Sequence, residues 1–301
     1  MSVGAQREGR VYDLGLRRYE GPREGRRRAV LSVYKDGLRT AMGLGRGGRA
    51  KVLPWVFIGA SLLPAIIMAL VAGSLDRLAP DFNPSSIPTL SDYYSIASVV
   101  LLLFAAVVGP ELFCPDRRNK VISLYLVRPL TSTDYIAGRF GALLTVMTLA
   151  AWLPQAVLFT GLALSVSHPG SYLADHWLDV PRFLVAGAAI ALWVSTLAAL
   201  VSSFTTRRAH AAAFLVGIFI VSSTVVTSVA DALSTGVGRW IALLSVRDVP
   251  LLVNDLVFRG AHTIGAKQAA DLPGAVQLGW YLLLVAVCLL VVRRRAMRLS
   301  V

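Results

Sequence analysis

The residues of this chain whose types could support metal chemistry or catalysis are few and scattered. Asp175, His176 and Asp179 are close enough in sequence to bind a metal ion weakly, although such a cluster is more commonly the solvated face of a loop. The other three histidines stand apart, and the sequence has no HExxH, Cys-x-x-Cys or GxSxG motif. We therefore expect no catalytic residue and no metal or cofactor bound by this chain.

Nucleotide-binding motifs are also missing. The sequence has no GxxxxGK[ST] phosphate loop, so we expect the chain not to hydrolyse ATP. Residues 43–48 match GxGxxG, but that motif binds a dinucleotide only where it follows a strand and opens a helix. No strand pattern precedes these glycines, which disfavours a dinucleotide site.

The distribution of apolar residues predicts the fold class. The chain is 55% hydrophobic and only 16% charged, whereas soluble domains carry about 25% charged residues. The apolar residues form blocks with almost no charge, each near the roughly 20 residues that a helix needs to cross a bilayer. We predict an all-α integral membrane protein with six transmembrane helices, at approximately residues 52–75, 93–113, 140–164, 183–204, 209–230 and 275–292.

The charges of the connecting segments predict the orientation. If the first segment is cytoplasmic and the rest alternate, cytoplasmic segments hold 24 Lys+Arg against 8 Asp+Glu, and external segments hold 6 against 9. This asymmetry follows the positive-inside rule, and it places both termini in the cytoplasm. The net charge of +13 therefore indicates membrane topology and contact with anionic lipids, and not nucleic-acid binding.

Two segments outside the predicted spans have patterns of their own. Residues 1–51 form a basic cytoplasmic arm before the transmembrane domain of residues 52–301, and the period of residues 26–44 predicts an amphipathic interface helix at the membrane surface. Its apolar face contains Val30, Val33, Tyr34 and Leu38. Residues 231–271 contain apolar runs too short to span a bilayer, which predicts a re-entrant-like segment before the last helix.

Ionisable residues are almost absent from the predicted spans, and this argues against transport driven by a proton or sodium gradient. The exception is Glu111 at the end of the second span. It could reach the interface and pair with Arg117 or Arg118, or it could take part in coupling, and the sequence leaves both alternatives open.

The cytoplasmic connection after the second span carries a family resemblance. Glu111 is followed by Asp116-Arg117-Arg118-Asn119-Lys120, a leucine-rich stretch that ends at Pro129, and Gly138-Arg139 at the start of the third span. This resembles the loop of ABC-2 type transporter permeases, of an actinobacterial type, in which a coupling helix follows the glutamate. The sequence departs from the family pattern at Asn119-Lys120, where a glycine is common, and at Arg139, where a lysine is usual.

The resemblance implies a permease subunit of an ATP-binding-cassette exporter in the bacterial plasma membrane. Two copies of a separately encoded ATP-binding subunit, which carry the ATP and Mg²⁺, would serve a homo- or heterodimer of permeases. Its coupling contacts would come from Glu111, Asp116, Arg117, Arg118, Ile122, Leu124, Arg128 and Pro129. The alternatives are a non-transport scaffold or maturation-complex subunit and, with no residues to support it, an intramembrane enzyme. The substrate cannot be read from the sequence.

Overall fold

The computed structural model describes residues 25–44, 48–78, 89–119, 130–166, 168–233, 235–259 and 267–297. Within these ranges the chain forms ten α-helices, one short 3₁₀ turn and no strand. The helices are α1 (Gly25–Ala41), α2 (Gly48–Leu78), α3 (Leu90–Arg118), α4 (Ser132–Ser165), α5 (Pro169–Asp175), α6 (Asp179–Phe204), α7 (Arg208–Ala232), α8 (Thr235–Ala242), α9 (Asp248–Val257) and α10 (Gly274–Met297), with the 3₁₀ turn at Lys267–Asp271.

Six of these helices are long and apolar enough to cross a membrane, which confirms the predicted all-α fold class. They are α2, α3, α4, α6, α7 and α10. Several extend beyond the apolar blocks because polar residues cap them. Asp92 accepts a hydrogen bond from the backbone N–H of Thr89 at the start of α3, and Asp134 does the same for Thr131 at the start of α4. Such caps satisfy backbone donors that have no partner within the helix.

Three spanning helices form the centre of the bundle. They are α3, α4 and α6: in their apolar parts, 67% of the residues of α3 and α6 and 56% of those of α4 are buried, against 11% for α7 and 22% for α2 and α10. The outer helices therefore present exposed apolar side chains around the described bundle, as expected of surfaces that face lipid or another membrane protein.

The bundle has two distinguishable ends. We call one the α1 end, because α1 packs there on α4 and lies beside α3. The C-terminal ends of α3 and α6 and the N-terminal ends of α4 and α7 meet at the same end. The C-terminal end of α10 is also at this end, where Arg295 stacks on Phe204 with its guanidinium carbon 4.2 Å from the ring centre. The short helices α5, α8 and α9 lie at the opposite end.

The segment before the last helix enters the bundle. The indole N–H of Trp193, near the middle of α6, donates to the carbonyl of Val246 at 2.9 Å, and that of Trp280 donates to the carbonyl of Leu243 at 2.8 Å. These bonds hold the turn between α8 and α9. Every residue of α9 from Asp248 to Asp255 is buried, and the Asn254 amide donates to the carbonyl of Ser91 at 3.3 Å. This is the re-entrant-like segment that the sequence predicts.

Small residues allow α2 and α4 to approach closely. Ala69 and Gly73 are four positions apart on α2, and Gly161 and Ser165 are four positions apart on α4. A Cβ atom at Gly161 would lie 2.6 Å from the Cβ of Ala69. Small residues at this spacing are a common basis of helix packing in membranes, where close contact replaces the hydrophobic effect.

Replacing Gly161 with valine is expected to destabilise the protein by about 1–3 kcal/mol, because the added atoms would force α2 away from α4. The matched control is Gly217→Val on α7, since a Cβ at Gly217 meets no atom within 4 Å. Thermal unfolding of the detergent-solubilised variants measures the difference. Equal unfolding temperatures for the two variants would contradict the close α2–α4 contact.

Candidate functional site

The interface helix α1 packs on the N-terminal half of α4. A Cβ atom at Gly37 would lie 2.7 Å from the Cβ of Ala142, and one at Gly138 would lie 3.0 Å from a methyl carbon of Val33. The hydroxyl groups of Tyr34 and Thr145 are hydrogen-bonded at 2.9 Å. The two helices are therefore in close contact along more than one turn.

The apolar face predicted for the interface helix is directed largely at protein. Val33 is buried, and Val30, Tyr34 and Leu38 are half-buried. Val33 and Val30 pack with Leu130 and Tyr135 in a small cluster of their own, and Leu38 packs against the main core. Leu31 is 51% exposed and remains available to the membrane surface. The face that the sequence assigns to the membrane thus also attaches α1 to the bundle.

The side chain of Arg139 joins three helices at this point. Its Nη1 lies 2.9 Å from Asp36 Oδ2 of α1, and its Nη2 lies 2.8 Å from Asp116 Oδ2 of α3. Arg139 itself belongs to α4 and is only 5% exposed, while Asp36 is 58% exposed and Asp116 is 16% exposed. The Tyr135 hydroxyl also donates to Asp116, and the Tyr135 ring lies 5.8 Å from the guanidinium carbon. We call Arg139, Asp36, Asp116 and Tyr135 the Arg139 hub.

The hub has an electrostatic reason to hold together. A buried guanidinium is tolerated only where carboxylates and aromatic faces replace its water. Asp116 supplies a nearly buried carboxylate and Asp36 a solvated one, so separation of α1 or α3 from α4 would leave charge unpaired. The hub therefore favours an arrangement in which α1, α3 and α4 stay in contact.

A second ion pair ties the start of α1 to the start of α4. Arg26 Nε lies 2.8 Å from Asp134 Oδ2, and its Nη2 lies 3.0 Å from Oδ1, a two-pronged arrangement. This hydrogen bonding raises the pKa of the Arg26 guanidinium above its usual value. Because Arg26 is exposed, the pair orients α1 more than it stabilises the fold.

The end of α3 lies beyond the end of the predicted second span, which is near residue 113. The helix α3 continues without interruption to Arg118, so Asp116, Arg117 and Arg118 form the last turn of a spanning helix. Basic residues there are favourable because they lie at the negative end of the helix dipole.

Glu111 and Arg117 each connect α3 to a different neighbour. Glu111 Oε1 lies 2.9 Å from Arg208 Nη1 at the start of α7, a partner on another helix that the sequence analysis does not name beside Arg117 and Arg118. Arg117 instead donates to the carbonyls of Ser202, at 3.1 Å, and Ser203 at the end of α6. Carbonyls at a helix end lack partners within the helix, which makes them good acceptors for a guanidinium. Arg118 is exposed.

Four predicted coupling residues lie outside the described residues, and their role stays a prediction. They are Ile122, Leu124, Arg128 and Pro129. The sequence analysis did not single out Arg26, Asp36 or Arg208, because nothing in their local sequence indicates which distant side chain they meet.

The candidate metal and dinucleotide sites of the sequence analysis do not form a binding site in the described residues. His176 stacks on Tyr172 with ring centres 4.2 Å apart, and its Nδ1 lies 3.1 Å from the Tyr172 carbonyl. Asp179 pairs with Arg182 at 2.8 Å. Within the described residues, no group of three or more His, Cys, Asp or Glu side chains could hold a metal ion. The GxGxxG string follows α1, a helix and not a strand.

Comparison with known proteins identifies the family of this chain. The sequence model of the family described as ABC-2 family transporter protein matches residues 76–238, which is more than half of the chain. The match runs from the end of α2 into α8, so it includes the central helices α3, α4 and α6 and the start of α7, while α1 lies outside it. No curated protein matches the sequence. The chain belongs to the ABC-2 family of transporter proteins and is a membrane permease of that family.

Proposed function

We propose that this permease exports its substrate by using ATP hydrolysis in a separately encoded ATP-binding subunit that docks at the α1 end. The α1 end and both termini then lie in the cytoplasm of a bacterial cell, in agreement with the positive-inside charge pattern. Two permease chains, identical or different, and two ATP-binding subunits make up the transporter. ATP and Mg²⁺ are bound in the partner subunits.

The observation that carries the proposal is the Arg139 hub. A partner that presses on α1, or on the connection between α3 and α4, acts on helices that the hub joins by two ion pairs of 2.8 and 2.9 Å. Because α3 and α4 are central helices of the bundle, their displacement would open or close a path across the membrane. The absence of a phosphate loop from the sequence agrees with an external source of energy.

The subunit composition and the ATPase activity of the purified complex test this function. When the tagged chain is purified from membranes in a mild detergent, the complex that contains it is expected to have the mass of two permeases plus two ATP-binding subunits. Vanadate-sensitive ATP hydrolysis should appear in the complex and remain at background for the chain alone. The control replaces the phosphate-loop lysine of the partner, which should abolish ATP hydrolysis while the complex stays assembled.

Two outcomes would contradict the proposal. One is transport of a fluorescent phospholipid or hydrophobic dye by the chain alone in proteoliposomes under a proton or sodium gradient. The other is a purified complex without an ATP-binding subunit, which would favour the scaffold or maturation-complex alternative.

A further inference from the structure

A basic cleft opens at the α1 end, between the last turn of α3 and the turn that joins α6 to α7. Its volume is about 600 Å³, and Arg118, Asn119, Arg207 and Arg208 line it together with small residues such as Ala209. Volumes of this order are typical of sites that bind small molecules. The cleft is separate from the Arg139 hub, whose members do not line it.

The charge of the cleft is strongly positive. Three arginines line it, and one of them, Arg208, pairs with the carboxylate of Glu111. In the described part of the chain, neither the Arg118 nor the Arg207 side chain contacts a carboxylate. The planar guanidinium group binds phosphate oxygens in pairs. The first N–H groups of α7, which begins at Arg208, have no acceptor within their own helix and add to the attraction for an anion.

An apolar stripe leads from the cleft along the outside of α7. Phe214, Ile218 and Val221 are exposed by 62%, 40% and 60%. These three side chains follow one another at spacings of four and three residues, so they share one side of α7. Ile220, which is 57% exposed, follows the cleft residue Ala209 by eleven positions, about three helical turns, so an exposed apolar side chain also lies in line with the cleft. A molecule with a phosphate in the cleft could therefore lay a hydrocarbon chain along α7 toward the middle of the membrane.

We propose that the cleft binds the headgroup phosphate of an anionic phospholipid, whose acyl chains lie on the exposed stripe of α7. The combination of a phosphate-binding cleft with an apolar stripe favours a lipid over free phosphate, which has no use for the stripe. It also favours a lipid over an acidic protein surface, since a water-soluble partner would not reach down α7. The bound lipid bridges the ends of α3 and α7 beside the Glu111–Arg208 ion pair.

Titration of phosphatidylglycerol into the full-length chain in a neutral detergent, followed by native mass spectrometry, tests the site. One phosphatidylglycerol is expected to remain bound per chain, in preference to phosphatidylcholine. Arg118→Ala combined with Arg207→Ala should weaken binding by about 30-fold, since each arginine at an anionic surface contributes about a factor of five. The control combines Arg293→Ala with Arg294→Ala, two exposed arginines of α10 outside the cleft. It lowers the net charge equally and should change binding by less than about threefold.

A variant that keeps every charge tests whether lipid binding also depends on the shape of the cleft. Ala209→Trp fills the cleft and should also reduce phosphatidylglycerol binding by at least about tenfold. In wild type, added phosphatidylglycerol should raise the unfolding temperature, and in both cleft variants this rise should disappear. Unfolding temperatures measured without the lipid show whether the variants are folded.

Three results would overturn the proposal. Equal losses of binding in the cleft and control variants would mean that only general charge attracts the lipid. Displacement of phosphatidylglycerol by millimolar inorganic phosphate would identify the ligand as free phosphate. Unchanged lipid binding together with a loss of the ATP-binding subunit in the cleft variants would make the cleft a protein interface.

Discussion

Replacing Arg139 with leucine is expected to reduce the free energy of unfolding by about 3–5 kcal/mol, the usual cost of removing one partner from a buried ion pair. Asp116, only 16% exposed, would keep its charge without the guanidinium that compensates it. The attachment of α1 to the bundle would also weaken, because the Asp36 contact is lost with the same side chain. Thermal unfolding measures the first effect, and faster hydrogen exchange in α1 measures the second.

Three variants test whether the lost charge, and not the change in shape, causes the loss of stability in Arg139→Leu. Asp36→Asn should cost less than about 1 kcal/mol, because this partner is 58% exposed. Arg139→Lys should fall between wild type and leucine, since an ammonium group lacks the fork that reaches two carboxylates. Combining Arg139→Leu with Asp116→Leu should recover part of the lost stability, because no buried charge then remains unpaired. If Arg139→Leu unfolds at the wild-type temperature and α1 stays protected, the hub does not hold these helices together.

The spanning helices could be predicted from the sequence because the membrane imposes a simple rule. A stretch of about 20 apolar residues has no other stable form in lipid, so the six blocks correspond to six helices. The same rule fails at helix ends. The predicted second span ends at about residue 113, whereas α3 continues to Arg118, because polar residues at the membrane boundary remain compatible with helix. Charge marks where the apolar core stops and not where the helix stops.

The contacts of the α1 end could not be predicted in the same way. Arg139 has a local signal, since it belongs to the Gly138-Arg139 pair on which the resemblance to ABC-2 permeases rests in part, but its partners Asp36 and Asp116 are on two other helices. Glu111 has two arginines nearby in sequence and pairs with Arg208. Which opposite charges meet depends on how helices are arranged around α3 and α4, and helical periodicity carries no information about that arrangement.

The re-entrant segment could be predicted in part. Its short apolar runs indicate that residues 231–271 are neither a simple loop nor a span, and this is borne out by the buried helix α9. The two hydrogen bonds that hold the segment could not be predicted, because Trp193 and Trp280 donate to backbone carbonyls. A carbonyl is present at every residue, so no sequence pattern distinguishes the two that accept these bonds.

Replacing Gly37 with tryptophan is expected to raise the dissociation constant for the ATP-binding subunit by at least about tenfold, and to leave the transmembrane bundle folded. The reason is steric. Even one added carbon atom at Gly37 would lie 2.7 Å from the Cβ of Ala142, so an indole must push α1 off α4. If α1 forms part of the docking surface, as proposed above, its displacement removes contacts from the interface. Titration of the purified variant with the ATP-binding subunit measures the effect, at about 1.4 kcal/mol per factor of ten.

Three further variants test whether displacement of α1, and not the mere presence of an aromatic residue, weakens docking. Leu31→Trp introduces the same side chain on the exposed side of α1, and its dissociation constant for the ATP-binding subunit should stay within about threefold of the wild-type value.

The pair Gly37→Ala and Ala142→Gly moves one methyl group from α4 to α1 across the same contact. Gly37→Ala alone should weaken docking, and the double variant should restore it, because the gap between the helices again holds a single methyl group. The opposing changes in helix propensity, about 1 kcal/mol each, cancel in the double variant. Wild-type docking in Gly37→Trp, with the hydrogen exchange of α1 increased, would exclude α1 from the docking surface. The connection between α3 and α4, with Ile122 and Leu124, would then be the remaining contact.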